Sequence, residues 1–244
     1  MEEKIKSHYK FYQKQIKEIQ PKKTTLIIVD MQKYQVQKDF IAYKAMNTVT
    51  PGILDYFVSE VEKKVTPNLR TLINFCHEVE IPIIYTKFSS FMPDGSDLSK
   101  SAKYLNKIAK NLLGDVAFPY ISHPGSDIID ELKPEDRDLV LQKNTSGTFI
   151  STRLDSFLRN MNIETVLVSG VVTNFCVEST AREAGDYGFQ VVIVEDCCAA
   201  WSPEIHQATL TSFGLLRGFI LTHEKVIKKI NRTNKKIKEQ VAVH

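Results

Sequence analysis

Residues 24–30 read TTLIIVD: six apolar or β-branched positions without a charged break, then a carboxylate, Asp30. A run this short and this uniformly apolar follows neither a helical stripe nor an in-out alternation. It predicts a strand buried on both faces, as in a parallel sheet covered by crossover helices. Similar runs recur at 82–86 (PIIYT), 138–142 (DLVLQ), 165–169 (TVLVS) and 190–194 (QVVIV), with a weaker one at 218–221. Helical patterns lie between them. One opens at Thr66, read as an N-cap with Pro67 at the first helical position, and carries Leu69, Leu72, Ile73, Cys76 and Val79 on one face. Others cover 151–160, 174–187 and 203–216. Strands alternating with helices predict an α/β fold: a three-layer α/β/α domain around a doubly wound, six-stranded, mostly parallel sheet.

A length of 244 residues suits one such domain, and 43% hydrophobic with 25% charged residues is ordinary for a globular protein. Residues 1–22 form an N-terminal helical extension, with Ile5, Tyr9, Tyr12, Ile16 and Ile19 at helical spacing and a stop near Pro21. The α/β domain spans 23–223, and 224–244 form a basic C-terminal helix or tail. Residues 88–124 have little strand character and several Pro and Gly, which suggests a lid or substrate-lining excursion. The net charge of +3 is spread over lysines at the two ends, without the dense basic stripe of a nucleic-acid binder. No apolar run approaches the roughly 18 residues that a membrane span needs. The four cysteines, Cys76, Cys176, Cys197 and Cys198, fit neither a zinc knuckle nor a secreted disulfide frame. Cys197 and Cys198 read as ordinary buried thiols, and the expected location is the reducing cytoplasm.

Open parallel sheets bind ligands at the carboxyl ends of their strands. That rim receives Asp30, Lys87, Lys143, the loop from Gly170, and Glu195 with Asp196. Residues 169–176 (SGVVTNFC) leave a strand and enter a helix, with Thr173 a plausible N-cap and Cys176 at the third helical position. Unpaired N–H groups at a helix start lower a thiol's pKa and can hold an oxyanion. Taken singly, Cys176 is structural or a nucleophile, Asp30 an N-cap or a base, and Lys143 a surface or a site lysine. Taken together they make chemical sense: the thiol needs a proton acceptor, Asp30 supplies it, and the lysine keeps the total charge tolerable.

The residues that carry recognition are VDMQ (29–32), KNTSGTF (143–149), SGVVTNFCVESTAREA (169–184), GFQVVIVEDCCAA (188–200) and SPEIHQATL (202–210). In this order and spacing they resemble the isochorismatase-like cysteine hydrolases, from about Lys23 to Leu221. The resemblance implies that Asp30, Lys143 and Cys176 are the catalytic triad. It also implies a cis peptide between Val171 and Val172, with the N–H groups of Val172 and Cys176 as oxyanion hole. Nicotinamidases in this family hold a metal through an Asp-x-His pair and a further His. None of His8, His77, His123, His206, His223 and His244 forms such a pair, and after Ile84 the chain reads YTKFSS. The expectation is therefore no metal and no cofactor.

The presence of Cys176 favours cleavage of a C–N bond in a small amide or ureido-type substrate, through an acyl- or carbamoyl-enzyme that releases ammonia or amine. The alternatives are a vinyl ether hydrolase of the isochorismatase type and a catalytically silent binding protein on the same fold. Candidate substrate-binding residues are Gln32, Phe40, Lys87, Phe88, Thr148, Phe149 and Phe175, with Lys87 a possible partner for a substrate carboxylate. The expected partners are a small molecule and further copies of the chain, as dimer or tetramer, with neither nucleic acid nor membrane.

Overall fold

The computed structural model describes residues 2–241; Met1 and the last three residues, His244 among them, lie outside it. Its strands are β1 (Thr24–Val29), β2 (Ile83–Phe88), β3 (Leu139–Lys143), β4 (Thr165–Val171), β5 (Gln190–Ala199) and β6 (Phe219–Leu221). Among the described residues they form one sheet in the order β3-β2-β1-β4-β5-β6, and every pairing is parallel. The order runs outward in both directions from β1 and β4, which places the switch point of the winding between them.

The helices are α1 (Glu2–Gln13), α2 (Lys33–Val36), α3 (Ile41–Val49), α4 (Asp55–Glu60), α5 (Thr66–Glu78), α6 (Lys100–Leu113), α7 (Leu154–Asn160), α8 (Glu178–Asp186), α9 (Pro203–Gly214) and α10 (His223–Val241). Alternate residues of each strand feed two cores. Leu26 and Ile28 pack with Phe57, Leu69, Leu72, Val226 and Ile230 under α4, α5 and α10. Ile27 and Val29 pack with Leu154, Leu158, Ala181, Leu210 and Phe213 under α7, α8 and α9. With both faces covered, all six residues of β1 are buried, as a continuous apolar run requires. No helix is long and apolar enough to cross a membrane among the described residues.

Several boundaries differ from expectation. The first helix ends at Gln13, whose side chain donates to the carbonyls of Gly214 and Gly218 and accepts from the Ile220 N–H. These bonds close α1 onto α9 and β6, and the chain then runs on to β1 with Ile19 buried. Thr66 is not a helix start. The backbone is helical from Asp55, passes a wide π turn at Val61–Val65 and continues into α5. Thr66 N–H reaches back to Val61 O, so the widened turn accommodates Pro67, which has no N–H to give. The excursion after β2 contains the 14-residue α6, whose buried contacts are the small Ala102 and Ala109; alanines on a lysine-rich helix leave little periodic signal.

Candidate active site

Asp30 leaves β1 with φ +50, and its N–H bonds to Thr86 O at 3.2 Å. Asp is among the residues that tolerate this left-handed conformation. The turn brings the carboxylate back over the strand ends instead of capping a helix; the cap position of α2 is Gln32. Beside it, β4 approaches so closely that a Cβ on Gly170, at φ +103, would stand 2.1 Å from Val29 O. Only glycine fits there.

Lys143, the last residue of β3, is fully buried. Its Nζ lies 2.7 Å from Asp30 Oδ2, an oxygen with no other hydrogen-bond partner. It also donates to Thr145 O at 2.9 Å and Ser146 O at 3.0 Å. Three protons meet three acceptors, and the Phe88 ring lies over the ammonium at 5.3 Å. Thr86 Oγ1 donates to the other oxygen of Asp30 at 2.6 Å.

Cys176 lies near both Asp30 and Lys143, whose charges act on its thiol. It sits in a π turn, Thr173–Val177, that leads into α8, after a cis Val171–Val172 peptide. Thr173 is not the N-cap: that position belongs to Val172, and the Thr173 hydroxyl lies 2.9 Å from Nδ1 of His206 on α9.

The expectation of a depressed thiol pKa is reversed. Cys176 keeps some exposure, yet desolvation dominates; Lys143 pulls the pKa down and Asp30 pushes it up, leaving it at about 12. For Lys143, burial works against the charge, but Asp30 and Cys176 outweigh it and the pKa is raised. The resting set is thus a neutral thiol beside a carboxylate–ammonium pair, with no net charge. A thiolate formed by loss of the proton to bulk would leave a buried negative charge. Transfer of that proton to Asp30 as the sulfur attacks keeps the total at zero.

The other expected residues divide. Phe88 lies against the Asp30–Lys143 pair through its ring. Phe40 packs beside it with Tyr34, Leu98 and Phe118. Phe175 is exposed, edge-on to Trp201 with ring centroids 6.0 Å apart. Gln32 is fully buried, donating to Phe88 O and Ser126 O and accepting the Phe88 N–H; it is a clamp between loops, with its amide committed. Lys87 points to the opposite face of β2 from Thr86 and Phe88, and Asp127 holds it at 2.9 Å. Thr148 is buried against Thr180. Phe149 is a core residue, stacked on Tyr187. Thr86 and the fully buried Tyr34, whose hydroxyl donates to Phe88 O, were not expected. Thr86 could have been found by counting two residues from Ile84 along β2; Tyr34 carried no comparable signal.

One group of three potential metal ligands occurs among the described residues, Asp196, Cys197 and His223. It is separate from the Asp30 set, and both Asp196 oxygens are taken by the backbone N–H and the ring of His223. Through these bonds the group caps α10.

The model of the isochorismatase domain family matches residues 24–225. Nicotinamidase 3 of Arabidopsis thaliana is 28% identical over 200 residues, 81% of this chain and 95% of that protein. A ureidoacrylate amidohydrolase of Acinetobacter baylyi is 28% identical over 218 residues, 83% of this chain and 82% of its own. Among solved structures, a cysteine hydrolase from Pseudomonas syringae pv. phaseolicola superposes with TM-score 0.72 at 22% identity, covering 89% of this chain and 96% of the other. At that identity the likeness concerns the fold.

Proposed function

The chain belongs to the isochorismatase family, and from that premise we propose that it is a cysteine-dependent hydrolase of C–N bonds in small amides or ureido compounds. The observation that carries the reading is the Asp30–Lys143 pair, buried and 2.7 Å apart, with the Cys176 thiol beside both. Asp30 takes the thiol proton as sulfur attacks the substrate carbonyl. The N–H groups of Val172 and Cys176 receive the developing oxyanion. Protonated Asp30 then gives its proton to the departing ammonia or amine, leaving an acyl- or carbamoyl-enzyme. A water activated by the same carboxylate cleaves the thioester, and the thiol recovers its proton. Lys143 holds the carboxylate in place and balances the negative charge that passes from sulfur to oxygen.

The names of the similar proteins, a nicotinamidase and a ureidoacrylate amidohydrolase, support an amide or ureido carbonyl as the target. Tyr85-Thr86-Lys87-Phe88-Ser89-Ser90 lacks the histidine that the metal-binding branch places after β2, which favours the ureido type. The four cysteines are unpaired, in keeping with work in the cytoplasm.

The test is a panel of small amides, ureido acids, biuret and isochorismate, read by ammonia and pyruvate release. Cys176→Ala should abolish turnover of whichever amide is accepted, while Cys197→Ala keeps it. Full activity in Cys176→Ala would sink the mechanism, and pyruvate without ammonia would move the protein to vinyl ether cleavage.

A further inference from the structure

Two of the three acceptors around Lys143 Nζ are carbonyls of its own turn, Thr145 O and Ser146 O. What fixes that turn therefore fixes the ammonium. Within the turn, the Thr145 hydroxyl donates to Gly147 O. From outside, α8 holds it at two points. The Oγ1 atoms of Thr148 and Thr180 are 2.9 Å apart and buried. The Glu183 carboxylate accepts the Phe149 N–H at 2.8 Å and lies flat against Gly147, where a Cβ would stand 2.0 Å from Glu183 Oε1. Gly147 thus owes its lack of a side chain to the carboxylate beside it.

We propose that Glu183 is a positioning residue that locks the Lys143 turn to the helix carrying the nucleophile, so that ammonium, carboxylate and sulfur keep one relative geometry. The inference rests on the reading of Lys143 as the site's cation. Cys176 opens into α8 and Glu183 lies within it, so sulfur and the support of its counter-charge share one rigid element. The Thr148–Thr180 contact is a second tie on the same helix, one turn before Glu183. If the turn slackens, the ammonium drifts and loses its hold on Asp30 and on the developing thiolate; substrate binding is little touched.

The experiment compares the full-length protein with Glu183→Ala, Glu183→Gln, Gly147→Ala and the Glu183→Ala/Gly147→Ala double variant. Two rates are read: alkylation of Cys176 by iodoacetamide at pH 8, followed by mass spectrometry, and kcat and KM on an accepted amide. Glu183→Ala should slow alkylation and lower kcat by about tenfold, because the thiolate loses part of its stabilisation, with KM within about twofold. Glu183→Gln, which keeps an acceptor for Phe149 N–H, should retain most of both rates. Gly147→Ala should resemble Glu183→Ala, and the double variant should be no worse than either, since the methyl group then meets no carboxylate. A folded Glu183→Ala with wild-type alkylation and kcat overturns the proposal, as do additive losses in the double variant. Should Glu183→Ala fail to fold, the contrast of Glu183→Gln with Gly147→Ala decides in the same way. Alkylation needs no substrate, so a failure of the amide reading leaves this test intact.

Discussion

Lys143 Nζ stands 2.7 Å from Asp30 Oδ2 with both side chains wholly excluded from solvent. A buried ion pair is weak evidence for stability, because desolvating two charges offsets their attraction. Its presence at the carboxyl ends of β1 and β3 is better explained by the catalytic role proposed for it. Removing one partner nevertheless leaves the other as an uncompensated buried charge.

Asp30→Asn and Lys143→Met should therefore each cost about 3–5 kcal/mol of stability. The double variant should cost clearly less than their sum, with a coupling of about 1–3 kcal/mol. Asn tolerates the left-handed backbone of position 30, so strain does not confound the comparison. Denaturant unfolding of the four proteins measures this. Turnover should be absent from all three variants, including the double, in which neither charge is left unpaired. Additive costs would show that the pair is not coupled as the geometry requires.

Stability should fall on the alkaline side. Burial raises Cys76 and Cys176 to about 12, and raises Cys197 and Cys198 strongly as well. In the unfolded chain these thiols ionise near 9, so between about 9 and 12 the folded state binds more protons than the unfolded one. Unfolding then becomes easier as pH rises, by up to about 1.4 kcal/mol per thiol per pH unit. The stabilisation is complete below about 9 and is lost toward 12. Urea midpoints measured from about pH 7.5 to 10.5 should be level and then decline. The Cys197→Ala/Cys198→Ala variant should show a shallower decline. Midpoints that stay level throughout would contradict the assigned burial of these groups.

The sheet was legible because TTLIIV and its counterparts are too apolar to lie anywhere but between two helical layers. The rim of Asp30, Lys143 and Cys176 followed from where those runs end. What escaped was set by side-chain direction and by small residues. Lys87 and Phe88 are adjacent in sequence, yet the pleat sends one to Asp127 and the other over Lys143. Phe149 sits six residues past Lys143 and still belongs to the core beneath α8, because the intervening turn reverses the chain. The thiol's raised pKa was also beyond the sequence. A helix start argues for a lower value, and only the packing around Cys176 shows that desolvation wins.

Metal removal should leave activity unchanged. Asp196 spends both carboxylate oxygens on His223 at the start of α10 and Cys197 is buried, and the Asp30 set has no histidine partner among the described residues. Treatment with a strong chelator, checked by elemental analysis, followed by ammonia release from the accepted amide, measures this. Activity lost on chelation and restored by zinc or iron would refute the metal-free mechanism.

The last prediction is assembly into dimers or tetramers. Among the apolar residues of α9 and the N-terminal segment, Leu210 and Phe213 are fully committed to the core under α9, and Tyr12 and Ile16 pack on the other core. Ile205 on α9 stays exposed, as do Phe11 on α1 at 64% and Leu216 after α9 at 66%. A shallow groove where α1 meets α9 is lined by Ile5, Pro203, Ala208 and Leu215, with Glu204, Gln207, Thr211 and Ser212. A second apolar face lies on α6, where Tyr104 is 65% exposed beside Leu112 and Leu113. Apolar groups exposed in this way favour burial against another surface, and the α1–α9 face also carries a groove. Sedimentation at micromolar concentration should give two or four times the chain mass of 27.8 kDa. Phe11→Glu/Leu216→Glu should shift that mass toward the monomer, because a carboxylate placed in an apolar contact costs its full desolvation, whereas Tyr104→Glu/Leu112→Glu should not. The opposite pattern would move the interface to α6, and a wild-type mass near 28 kDa would remove it altogether.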